Sequence, residues 1–193
     1  TSARDTYTVG ARVRSATNAL GRWDYTVEAA GQFGDWKRPG TGIRPNERDE
    51  QRAMAFSANA GYTFAEAFGK PRLALEYDFA TGDSDPNDGR HETFDNLFPT
   101  NHLFYGYMDL SSLQNLHDLR LAYTWKPNPV SVIALEAQSH FLARTTDFWY
   151  NVAGVPRNVT TAAVGSGGSY RLNPSYSRHV GNELDLVAAW TVK

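Results

Sequence analysis

The sequence predicts an all-β protein, an antiparallel up-and-down transmembrane β-barrel of which seven strands are visible. Three observations carry that prediction. Apolar and polar residues alternate with period two in seven segments, every charge within them falls on the polar parity, and the connections between them alternate short and long.

Residues 6–14 place Tyr7, Val9, Ala11 and Val13 on one face and Thr6, Thr8, Arg12 and Arg14 on the other. Residues 23–33 set Trp23, Tyr25 and Phe33 against Asp24 and Glu28, and residues 53–64 carry Tyr62 and Phe64 on the apolar parity. Residues 72–80 oppose Tyr77 and Phe79 to Arg72, Glu76 and Asp78. Residues 118–126 oppose Trp125 to Asp118, Arg120 and Lys126. Residues 130–143 oppose Phe141 to Glu136 and His140, and residues 183–192 oppose Trp190 to Glu183 and Asp185. A slip of one residue would invert any of these strands, so the consistency of the charge parity supports the assigned faces.

The connections run about 8, 19, 7, 37, 3 and 39 residues in order. Long loops are expected at about 34–52, 81–117 and 144–182, all at one rim. Membrane barrels sort their turns this way, whereas compact soluble domains seldom carry such long structureless loops. Aromatics of the apolar parity lie mostly near strand ends, where an interfacial girdle requires them.

Composition excludes several alternatives. The 193-residue chain has a net charge of −2, which gives no electrostatic reason to expect nucleic acid as a partner. It has no cysteine, which removes disulfides, thiolate metal sites and thiol catalysis. No apolar run is long enough for a helical span, while ten Tyr, ten Phe and five Trp coexist with a mean hydropathy of −0.51. The predicted partner is therefore a lipid bilayer, contacted by strands.

Neither periodicity would generate Thr93-Phe-Asp-Asn-Leu-Phe-Pro-Thr-Asn-His-Leu-Phe-Tyr-Gly-Tyr-Met-Asp109. This run closely resembles one that precedes a barrel strand in the alginate export family of bacterial outer-membrane proteins. The resemblance implies a pore in the bacterial outer membrane that conducts alginate, a polyuronate, along a basic channel, with no covalent chemistry. Members of that family are longer chains ending on a strand with a terminal aromatic. Seven strands would leave two unpaired edges, so the chain is expected to be a C-terminal portion of a larger barrel, with Lys193 at the entry to a further turn. The 93–109 segment is expected to be extracellular or folded into the pore, with Phe94, Leu97, Phe98, Phe104 and Tyr105 against the barrel.

The expected pore-lining residues are Arg12, Arg14, Asp24, Glu28, Arg72, Glu76, Asp78, Asp118, Arg120, Glu136, His140, Glu183 and Asp185. Four arginines face eight acids, which departs from the basic path that the resemblance implies. Salt bridges that fill the lumen account for these charges as well as solute guidance does, and Arg12 and Arg14 with Asp24 and Glu28 are the first expected pairs. The function expected is passive export or diffusion of a polar solute, for which an anionic polysaccharide such as alginate is the implied cargo. A soluble β-barrel binding a ligand and an outer-membrane enzyme on a barrel scaffold are the rival readings.

Three smaller expectations follow. Asp83, Asp85 and Asn87 present oxygens at alternate positions, as calcium ligands do, although Pro86 and Gly89 equally explain a solvated turn; no other cofactor is expected. Tyr170, Arg171, Tyr176 and Arg178 lie in a Gly/Ser-rich segment suited to a gate over the pore mouth. Ser139 and His140 are strand neighbours on opposite faces, which disfavours a catalytic pair.

Overall fold

The structure, a computed structural model, describes residues 4–16, 19–38, 46–98, 105–157 and 177–192. Its strands are β1 (Arg4–Arg14), β2 (Trp23–Lys37), β3 (Arg48–Thr63), β4 (Arg72–Ala80), β5 (Arg90–His91), β6 (Leu116–Asn128), β7 (Ser131–Leu142) and β8 (His179–Trp190). Seven of them form one antiparallel meander in the order β1-β2-β3-β4-β6-β7-β8. Among the described residues this sheet is open, with β1 and β8 as its edges; it is the up-and-down sheet with two unpaired edges that the pattern led one to expect, and it does not close into a barrel.

Two further differences have a common cause. The expected strands ended at residue 33 and began at residue 53, whereas β2 runs on to Lys37 and β3 begins at Arg48. Beyond Phe33 the apolar parity carries Asp35 and Lys37, paired with Glu50 and Arg48, so the polarity signal stops while the backbone ladder continues. The eighth strand, β5, is two residues long and pairs in parallel with Glu50 and Gln51. It occupies the edge of β3 that β4 leaves free beyond Ala55, where Ala80 ends their pairing.

The register aligns like faces throughout. Val27 pairs with Ala58, Ala58 with Tyr77, Tyr77 with Leu119 and Leu121 with Ala137, forming one continuous apolar face. That face is uncovered: Val9 is 67% exposed, Leu75 52% and Leu186 73%. Aromatic contacts edge it at both rims. Trp23 meets Tyr62 at 4.9 Å and Phe68 meets Trp125 at 6.0 Å at the short-turn rim. At the other, Tyr7 stacks on Phe33 at 5.6 Å and Phe79 lies 4.9 Å from His117.

The opposite face is polar yet largely buried. Gln32, Gln51, Asp78, Asp118, Glu136, Gln138, His140 and Glu183 are all buried there, whereas the buried apolar cluster is confined to Ala53, Ala55, Ala80 and Phe94. A soluble sheet packs its apolar face inward and wets its polar one. This sheet does the reverse.

Candidate functional site

A chain of charged and amide side chains crosses the polar face from β2 to β7. Arg72 donates to both Asp24 oxygens, at 2.9 Å and 2.6 Å, and to Asn59 Oδ1 at 3.0 Å. Asn59 Nδ2 donates to Glu76 Oε2 at 2.7 Å, and Arg120 then bridges Glu76 at 3.0 Å and Glu136 at 2.8 Å. Charge-assisted bonds of this kind are the stronger class, and each arginine here is shared between two partners. Gly61 makes the chain sterically feasible, because a Cβ at that position would strike the Arg72 guanidinium.

Of the first expected pairs, Arg12 lies 3.7 Å from Glu28, whereas Asp24 is taken by Arg72 and Arg14 faces Thr26. Side chains four or five bonds long reach diagonally across strands, so the nearest partner in the sequence need not be the nearest in the sheet. Farther along, Asp78 pairs in register with Asp118, and Asp118 lies 3.0 Å from His140 Nδ1. Glu183 is 4.0 Å from His140 Nε2 and Asp185 pairs with Glu136. Ser139 points to the apolar face and bonds Asn182 at 2.8 Å, so it does not meet His140.

The connection between β4 and β6 folds back over this face. Gln32 Nε2 donates to the Asp95 carbonyl at 2.8 Å and Gln32 Oε1 accepts from the Asp95 amide at 2.7 Å. Gln51 Nε2 donates to the Thr93 carbonyl at 3.1 Å. Phe94 thereby packs on Ala53, Ala55, Ala80, Ala30 and Leu113. Further on, the Met108 amide donates to Glu183 Oε1 at 2.7 Å. Gly106, at φ +88°, lets the backbone approach the Glu183 carboxylate where a Cβ would collide. Burial, then the charges of Asp78 and Glu76, push the Tyr105 hydroxyl far above its ordinary range, so it remains a neutral donor.

Of the five residues expected to pack here, Phe94 is buried and Tyr105 half-buried, while Phe104 lies outside the described residues. Leu97 and Phe98 are corrected: they are exposed, Phe98 to 87%. They follow the Gln32–Asp95 anchor, beyond which the chain leaves the sheet.

At the long-loop rim, a cavity of about 300 Å³ opens between residues 81–95 and 144–157. Asp147 organises its wall by accepting from the Asp83 amide at 2.9 Å, Thr93 Oγ1 at 2.6 Å and the Tyr150 hydroxyl at 2.8 Å. Burial raises its carboxyl. Asp83 is pushed up to about 7 by burial and by nearby Asp147, and His91, stacked 4.2 Å from Trp36, is lowered to about 4 by burial and by Arg4.

The expected calcium ligands lie in this rim as successive Asx turns. Asp83 Oδ1 accepts from the Asp85 amide at 3.2 Å, and Asp85 Oδ1 accepts from the Asn87 amide at 3.0 Å. These oxygens thus serve the local backbone, and among the described residues no three acidic or histidine groups converge with metal-ligand spacing. Of the expected gate, Tyr170, Arg171 and Tyr176 lie outside the described residues; Arg178 is exposed, and its carbonyl accepts from the Leu142 amide at 2.7 Å.

Several residues of the site were not anticipated. Gln32, Gln51, Asn59 and Gln138 share the polar parity but carry no charge, so a reading based on charges passes over them. Asp147 lies in a connection without periodicity and carries no local signal, and Thr93 opens the 93–109 run, which marked the family but gave no sign of a buried hydrogen bond to Asp147. No curated protein matches this chain. A family model described as alginate export matches residues 1–193, the full length, and the protein therefore belongs to the alginate export family.

Proposed function

We propose that this sheet is part of the wall of a bacterial outer-membrane β-barrel that passively conducts a polar solute, with the apolar face toward lipid and the polar face toward the pore. The reversal of the usual polarity carries this reading. Along β2, ten residues separate Phe33 from Trp23 in the two aromatic rows. At about 3.3 Å per residue and a tilt of about 40°, that corresponds to about 25 Å, the height of the apolar band of such barrels. The edges of β1 and β8 would pair with further strands, since hydrocarbon tolerates no free edge.

For the cargo, family membership supports an anionic polysaccharide such as alginate. The wall itself supports a polar solute without strong negative charge. Arg12, Arg72 and Arg120 are each neutralised by carboxylates, and Asp78, Asp118, Glu183 and Asp185 add acidity beside them. A polyuronate would meet repulsion along this stretch. The β4–β6 connection, held to Gln32, Gln51 and Glu183, would narrow the path.

Planar-bilayer recording of the full-length protein tests both parts. Under a salt gradient the reversal potential should report cation preference, and neutral oligosaccharides should reduce the current more than oligouronates do. Anion preference with strong oligouronate block would overturn the cargo reading. A protein that is monodisperse in buffer without detergent would overturn the barrel.

A further inference from the structure

At the long-loop rim, on the apolar-face side of the sheet, three arginines converge from separate segments. Arg52 comes from β3, Arg144 follows β7 and Arg178 precedes β8, and together they line a cavity of about 350 Å³ floored by Phe79 and His117. Its single acidic lining residue, Glu92, already accepts the backbone amide and hydroxyl of Ser84. Arg52 has an exposed contact with Glu50 at 3.6 Å, whereas neither Arg144 nor Arg178 forms an ion pair with a described acid.

We propose that this pocket binds the phosphorylated headgroup of an outer-leaflet lipid, an inference that rests on the membrane placement given above. Its position selects the ligand. Arg52 shares the apolar parity of β3, and Phe79 and His117 belong to the outward row that, with Phe141 and His179 at 5.1 Å, edges the apolar face. The guanidinium groups therefore stand at headgroup depth, just beyond the aromatic row, with the exposed Tyr77 and Leu119 below them for an acyl chain. A solute in the pore would be on the other side of the sheet.

The backbone is prepared for the role. Asn115 accepts the Arg144 amide at 2.7 Å and donates to the Arg144 carbonyl at 2.9 Å, and the Leu142 amide holds the Arg178 carbonyl at 2.7 Å. The pocket gathers three guanidinium charges against the single Glu92 carboxylate, so positive charge remains for an entering anion to neutralise. A phosphate monoester, with nearly two charges and three acceptor oxygens, fits the fork geometry of arginine better than a carboxylate does.

The test is retention of lipid A by the full-length protein in detergent, read by native mass spectrometry. Bisphosphorylated lipid A should be retained at least about tenfold more tightly than its dephosphorylated form. The variant R144A/R178A should lose that discrimination, and R144K/R178K should keep part of it, while both keep the heat-modifiable gel shift of the folded barrel. Equal retention of the two lipids by the wild type, or unchanged discrimination in R144A/R178A, would overturn the proposal. Displacement of lipid A by inorganic phosphate or an oligouronate at equal concentration would also overturn it, showing a site for free anions. A protein that does not enter detergent micelles or bilayers would instead sink the barrel reading, which the gel shift reports separately.

Discussion

Gln32 and Asp95 exchange two hydrogen bonds, one at 2.8 Å from the Gln32 side-chain amide and one at 2.7 Å to its carbonyl, across 63 residues of sequence. A side chain on β2 thereby acts as a strand partner for the backbone of a loop. It fixes where that loop stops following the sheet, and Phe94 is buried beside it as a consequence.

Gln32→Leu should free this anchor without disturbing the sheet. Two hydrogen bonds of about 1 kcal/mol each predict roughly thirtyfold more frequent release of the segment. Single-channel recordings should show a higher or noisier conductance at an unchanged urea midpoint. Unaltered traces would show that the segment does not limit the current.

Arg120 is the shared counter-charge of Glu76 and Glu136, and all three side chains are at most 16% exposed. Arg120→Met leaves two buried carboxylates facing one another, for an expected loss of about 3–5 kcal/mol in unfolding experiments. The triple variant E76Q/R120M/E136Q should recover most of that loss. If R120M alone is neutral, the chain of charges contributes little to stability.

Leu121 lies at mid-strand on the apolar face, between Leu75 and Ala137, and is 48% exposed. Against lipid, Leu121→Arg should cost about 2–4 kcal/mol and reduce insertion into bilayers. Against water the same change would shift stability by no more than about 0.5 kcal/mol. The urea midpoint in liposomes distinguishes these outcomes.

The pH response of the rim has opposing contributors, Asp83 and Asp147 on one side and His91 on the other. Asp83, raised from 3.8 to about 7 by burial and Asp147, stays protonated when folded but ionises when unfolded, so its contribution to stability falls as pH rises across that window. His91, lowered from 6.5 to about 4 by burial and Arg4, has the reverse sign: the unfolded state holds the extra proton, and its contribution rises with pH. Between about pH 4 and 6.5 the two offset each other. His91→Gln should therefore steepen the fall in local stability with rising pH, and Asp83→Asn should make it shallower, with the contribution of Asp147, also raised by burial, still falling in both. Exchange of the Phe94 amide, bonded to the Thr81 carbonyl at 3.1 Å, provides the readout after correction for intrinsic exchange. Parallel profiles for both variants would contradict the assignment.

Much of the fold was legible in residue order. Alternation along each strand follows from covalent geometry, so Val27, Leu121 and Leu186 declared the apolar face and Arg72, Glu76 and Arg120 the polar one before any pairing was known. Sorted loop lengths declared the rim, and the 93–109 run declared the family. Element ends were less visible, because the polarity rule lapses beyond the aromatic rows while β2 and β3 continue.

What the sequence determined by itself was the seven strands of the meander, their two faces and the family, while the short β5 went unseen. The tertiary structure alone decided that Asp24 joins Arg72 rather than Arg14, that Gln32 and Glu183 hold a loop over the polar face, and that Arg52, Arg144 and Arg178 meet on the other side. The physical reason is range. Alternation is written into neighbouring residues, whereas long polar side chains and aperiodic loops take their positions from partners dozens of residues away, which become neighbours only when the sheet assembles.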